Sequence, residues 1–167
     1  IYEHTRMIRT DFTRASLLAA ALVIVVLLLA FRRLFDVAIA LIPVLFGMCL
    51  LLGLMGAIGM NFNVATVVVP PLILGIGVDA GAHMVHRWRQ SADDNGGVAN
   101  LSDLLRGTGA AVLLASLTTV TGFATLMLAD YGAMTTLGFS LAIGVSACLV
   151  ASVIVLPSVL VVLKRAK

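Results

Sequence analysis

Asp79, His83 and His86 follow Gly75 at i+4, i+8 and i+11, so on a helix these four residues share one stripe. A carboxylate with an imidazole one turn away is a pattern for holding and passing a proton. Asp79 stands inside an apolar run from Val64 to Val85, long enough to cross a bilayer as a helix. Ionisable side chains at membrane depth are costly, and they usually face a bundle interior where they bind, pair or relay protons. Counting back from Arg87, Asp79 lies about 12 Å inside the nearer membrane edge, while His86 sits at that edge.

A second group of polar residues has a matching depth. Ser116, Thr118, Thr119, Thr121 and Thr125 form a hydroxyl-rich stretch in a later apolar run. Counted from Arg106, Ser116 lies about 15 Å deep and Thr118 about 18 Å, close to the level of Asp79. These hydroxyls are candidate partners for the carboxylate, although membrane Ser and Thr often bond their own helix backbone instead. The expected proton relay is therefore Asp79, His83, Thr118 and Thr119, with His86 and Ser116 as weaker members. Gly75, Gly77 and Gly81 thin the Asp79 helix for close packing, and Pro70-Pro71, about two turns earlier, mark an irregular start or a bend.

Two other chemistries compete for the same residues. Gly75-Ile76-Gly77-Val78-Asp79-Ala80 satisfies the G-x-G-x-x-A dinucleotide fingerprint, but that motif needs a preceding strand and a soluble sheet, which an apolar run opened by two prolines does not provide. One carboxylate and two imidazoles also suit a metal, and a proton path explains them equally. No cofactor or metal is expected. An intramembrane aspartyl protease needs two carboxylates at one depth, whereas Asp36 and Asp130 fall at the ends of apolar runs.

The elements that must position these groups are set by composition. The 167 residues are 61% hydrophobic and 11% charged, with mean hydropathy +1.13, whereas soluble domains are about half apolar and about a quarter charged. An all-α, polytopic membrane bundle follows, with five spans near 15–31, 37–58, 64–86, 107–129 and 135–163. Residues 1–14 form an amphipathic lead-in, 88–106 a loop containing the turn Ala92 to Gly97 and a helix start capped by Asn100 or Ser102, and 164–167 a tail. The short connections Gly59 to Asn63 and Asp130 to Met134 make antiparallel hairpins.

The net charge of +3 is spread singly or in pairs at span ends, which argues for topology signals and against nucleic acid. Arg32, Arg33, Arg87, Arg89, Arg106, Lys164, Arg165 and Lys167 fall on one side, so the positive-inside rule places the C-terminus in the cytoplasm and the N-terminus outside. Cys49 and Cys148 lie within spans and behave as small apolar groups.

The string GIGVDAGAHMVHRWR, followed by LTTVTGFATLMLAD and LGFSLAIGVSACLVASVIVLPSVL, resembles the transmembrane half of a resistance-nodulation-division (RND) transporter. The likeness is closest to the MMPL-like and hopanoid-associated exporters. That resemblance implies the last five helices of the C-terminal half of a proton-driven exporter in a bacterial inner membrane, with Asp79 carrying the proton. It further implies a lipid-like or otherwise hydrophobic cargo, membrane lipids and the transporter's other half and extracytoplasmic domains as partners, and room for a homo-oligomer. MMPL members commonly carry Tyr after this Asp, and here Ala80 stands in its place. SecD/SecF translocation partners also have an Asp-Ala pair, and a sterol-sensing-like module shares the bundle without pumping; both remain alternatives.

Overall fold

The computed structural model describes residues 2–31, 33–59, 66–94 and 101–165. Five helical rods account for nearly all of them. α1 is Tyr2–Phe31, so residues 2–14 continue unbroken into the first apolar stretch. α2 is Leu34–Ile58, and it stops at Gly59, whose φ of 71° and N–H bonds back to the Met55 and Gly56 carbonyls form a left-handed cap. α3 is Val69–Asp94, entered through a 3₁₀ turn at Thr66–Val68.

Pro70 and Pro71 thus occupy the first turn of α3, where a backbone N–H has no intrahelical carbonyl to meet. They start the helix after an irregular turn. α3 also runs beyond the apolar residues as far as Asp94, so Arg87 and Arg89 are helical. The Gly59 to Asn63 connection, the turn's Asn95 to Gly97, the Asn100 cap and Lys167 lie outside the described residues in whole or in part.

α4 is Leu101–Leu128: a short α-helical start, a π turn at Leu105–Gly109, regular helix over Ala110–Thr125, and a closing 3₁₀ turn. α5 covers 132–165 and contains a second π turn at Ala151–Val155, just before Pro157. Proline brings no N–H for the Val153 carbonyl and its ring crowds that group, so a wider turn there relieves the conflict. The α4–α5 hairpin is tied by the Thr135 hydroxyl, which donates to the Ala129 carbonyl at 3.0 Å.

α2, Leu101–Leu128 and Gly132–Leu163 are long and apolar enough to cross a membrane, and α1 contributes a shorter apolar stretch, Leu17–Phe31. α3 falls below that hydropathy because it carries two prolines, Asp79 and two histidines. The core is a three-helix seam of α2, α3 and α5. One layer joins Leu51, Met55, Val69, Ile73, Leu141 and Cys148; another joins Ile39, Ala40, Met84, Val85, Leu156 and Leu160, with Leu104 and Val112 from α4. α1 attaches through Leu27 to Val37, Val44 and Val78.

Missing side chains set the register of the seam. A Cβ at Gly77 would meet Cys148 Sγ and Val44, one at Gly144 would meet Ile73, and one at Gly81 would strike the Ala40 carbonyl. Contacts at residues 73 with 144 and 77 with 148 advance together, so α3 and α5 run parallel, whereas Val44 with Gly77 and Ala40 with Gly81 make α2 antiparallel to α3. Two of these close approaches, at Gly77 and Gly81, lie within two residues of Asp79. α4 lies outside it, and its Ala110–Thr125 stretch buries Val112 alone.

Candidate proton-relay site

The apolar contacts of α3 fix which way its polar stripe points. Ile73, Val78, Met84 and Val85 are buried, and Gly77 and Gly81 press on α2 and α5, so the face carrying Gly75, Asp79, His83 and His86 turns away from the seam. There it meets α1. The four residues line a cavity of about 470 Å³ whose opposite wall is apolar, formed by Leu22, Val23, Val26, Leu27, Ala30 and Phe31. Asp79, His83 and His86 are each exposed within this five-helix unit. The Phe31 and His86 rings, which both line the cavity, approach with centroids 6.5 Å apart and planes tilted by 56°.

The structure thus brings Asp79, His83 and His86 into one chamber. Ser116, Thr118 and Thr119 do not line it. Thr118 and Thr119 donate their hydroxyl hydrogens to the Leu114 and Ala115 carbonyls of their own helix, each at 2.9 Å, and Thr121 donates to Leu117 at 2.8 Å. Their lone pairs remain available as acceptors on α4. Gly75 faces the cavity with open space where a Cβ would stand, so close packing belongs to Gly77 and Gly81. Ala80 packs on the Met84–Val85 layer of the core, away from the Asp79 chamber.

A second acidic group emerges from the fold. Asp36, in the first turn of α2, is 2% exposed and accepts a charge-assisted hydrogen bond from Arg89 of α3 through Oδ1. Its Oδ2 is buried without a hydrogen-bond partner among the described residues. Asp36 and Arg89 border another cavity, about 340 Å³, with Phe35, Trp88 and Leu160. The sequence carried a usable signal: similar counts from the Gly59 to Asn63 connection, 23 residues back to Asp36 and 26 on to Arg89, set an acid at the start of one helix near a base towards the end of the next. Among the described residues no three His, Cys, Asp or Glu side chains group as a metal site.

Comparison with known proteins agrees with this architecture. The chain is 32% identical over 144 residues to a membrane protein of Methanocaldococcus jannaschii, which covers 86% of this chain and 37% of that protein. It is 29% identical over 158 residues to the hopanoid transporter HpnN of Burkholderia multivorans, covering 94% of this chain and 17% of the transporter. A shorter match of 75 residues, at 40% identity, covers 44% of this chain and 5% of protein patched homolog 1 of Caenorhabditis elegans. The chain therefore spans little more than a third of the archaeal protein and about a sixth of the hopanoid transporter. With the MMPL family model matched over residues 3–167 and an all-helical, multi-pass membrane bundle to house it, the chain belongs to the MMPL family.

Proposed function

We propose that this chain is the transmembrane part of a proton-motive-force-driven exporter of lipids or similar hydrophobic molecules, with Asp79 as the proton carrier. The observation that carries the reading is the Asp79, His83, His86 stripe, displayed on one face of α3 within a chamber against α1. The hopanoid transporter of B. multivorans, alike over 94% of this chain, supports the lipid-like cargo. In this reading the Asp36 end faces the cytoplasm of a bacterial cell, and the chain works with the other half and the extracytoplasmic domains of its transporter.

The chemistry is a population shift. Ionised Asp79 keeps its chamber wet, while the neutral acid tolerates closure of α1 on α3. A charged Asp at mid-membrane costs about 2.5–3.5 kcal/mol, so gaining or losing one proton shifts two conformations by roughly a hundredfold. His83, one turn along, and His86, at the Phe31 end, supply the next stops toward the cytoplasm. Thr118 and Thr119 stay in the proposed relay as acceptors on α4, outside the chamber, so a proton they exchange with Asp79 must pass through water or through the rest of the transporter.

The test is Asp79→Asn in the whole transporter, reconstituted in proteoliposomes with a fluorescent sterol as cargo and an imposed pH gradient. Gradient-driven export should vanish while the protein remains folded in the membrane; export at the wild-type rate would refute the reading. The apolar α1 wall favours one second reading, a lipid-sensing module that does not pump. A sterol-dependent conformational change indifferent to the gradient would select it.

A further inference from the structure

We propose that the Asp36–Arg89 ion pair is a positioning clamp that holds the depth and rotation α3 takes from its apolar contacts, and so keeps Asp79 presented to α1. The inference rests on the proton-carrying role proposed for Asp79, and it assigns work to two residues outside that site.

Asp36 is not a surface carboxylate. It is 2% exposed, lies in the first turn of α2, and reaches its partner 53 residues further along the chain. Asp36 is buried and the Arg89 side chain is 36% exposed, so the pair adds little net stability over apolar residues, yet removing Arg89 leaves the Asp36 charge uncompensated inside the protein. Its value is in register. Between Ala82 and Asp94 α3 has no Gly or Pro to absorb a displacement, and Gly81, the one glycine between Arg89 and Asp79, is wedged against Ala40, so movement at Arg89 is carried along the rod to Asp79, ten residues away. A slip of one residue would shift Asp79 by about 1.5 Å and turn it by roughly 100°, out of the chamber.

A second fixed point lies beside Asp79 itself, where Gly81 abuts the Ala40 carbonyl. With the Val44–Gly77 contact one turn away, this holds the middle of α3 against α2, and the ion pair adds a fixed point about two turns on, at the end that the glycine contacts do not reach. The pair uses one carboxylate oxygen, with Oδ2 making no hydrogen bond among the described residues, so it is a single tether, not a two-pronged fork. Asp36 and Arg89 do not line the Asp79 cavity, so their influence on it passes through the α3 backbone.

The experiment uses the full transporter in proteoliposomes, with Cys49 and Cys148 replaced by alanine and a reporter cysteine at Gly75, where the structure leaves open space. The reporter lines the Asp79 chamber, so its reaction rate with a membrane-impermeant maleimide reads the presentation of that face without any cargo. Asp36→Asn and Arg89→Gln should each change the labelling rate at least fivefold and lower gradient-driven export of a fluorescent sterol at least tenfold. The double variant Asp36→Glu/Arg89→Lys keeps a pair, and should hold both quantities within threefold of wild type.

Single variants that label and export within twofold of wild type would overturn the clamp. So would a double variant as impaired as the singles, including one that fails to accumulate. If the single variants fail to accumulate, the double variant decides: wild-type labelling supports the clamp, altered labelling overturns it. Asp79→Asn, run in parallel, separates the two ideas, because wild-type export there refutes the proton reading, whereas a dead Asp79→Asn beside an unaffected Asp36→Asn refutes the clamp alone.

Discussion

Two alanine substitutions on one helix, six residues apart, should move stability in opposite directions. At Gly81 a Cβ would lie within contact distance of the Ala40 carbonyl oxygen, and 3.1 and 3.4 Å from that residue's carbonyl carbon and Cα. These are backbone atoms of α2, so no rotamer change relieves the conflict and the helices must separate. Overpacking costs about 1–3 kcal/mol, against which alanine recovers about 1 kcal/mol of helix propensity over glycine. Because the obstacle is backbone, Gly81→Ala should lose about 2 kcal/mol, a fall in Tm of roughly 4–8 °C for a unit of this size. At Gly75 no atom lies within 4 Å of the added carbon. Gly75→Ala should therefore keep the propensity gain of about 1 kcal/mol and raise Tm by roughly 2–4 °C. Thermal unfolding of the detergent-purified protein, followed by far-ultraviolet circular dichroism, reads both. A Gly81→Ala protein that melts at or above the wild-type temperature would refute the packing argument.

Further outcomes follow from other contacts. Gly47→Ala should lose about 1–3 kcal/mol against Cys148 Sγ, and adding Cys148→Ala should restore part of that Tm, since the obstruction is a side chain; no recovery would place the conflict elsewhere. Gly144→Ala meets the flexible end of Ile73, so its loss of Tm should be smaller than that of Gly81→Ala. Thr118→Val and Thr119→Val remove hydroxyls that serve their own helix, and should leave Tm nearly unchanged while slowing gradient-driven export severalfold; unaltered export would remove them from the relay.

Periodicity and composition were enough to indicate an all-helical membrane bundle and the shared face of Asp79, His83 and His86, because a helix fixes which residues lie together regardless of context. What faces that stripe was beyond the same reasoning. Depth counting sets Thr118 near the level of Asp79, but level says nothing about direction around the axis. The direction comes from Gly77, Gly81 and Met84, which turn the other side of α3 into the seam and leave the stripe to α1. Pro70 and Pro71 were readable as an irregular start or a bend; the structure makes them the first turn of a helix that begins at Val69. Asp36 was set aside as a residue at the end of an apolar run. Its burial depends on α3 continuing as helix past the apolar residues, far enough for Arg89 to reach it, and hydropathy does not register a polar helical extension.

The proton-carrying role of Asp79 is tested most directly by the slope of sterol export against imposed pH gradient for wild type, Asp79→Glu and Asp79→Asn in the same proteoliposomes. Glu keeps a titratable carboxyl one methylene further out and should retain a reduced but positive slope; Asn, which holds no proton to exchange, should give a slope of zero. An Asn variant whose export rises with the gradient as steeply as wild type would contradict the account.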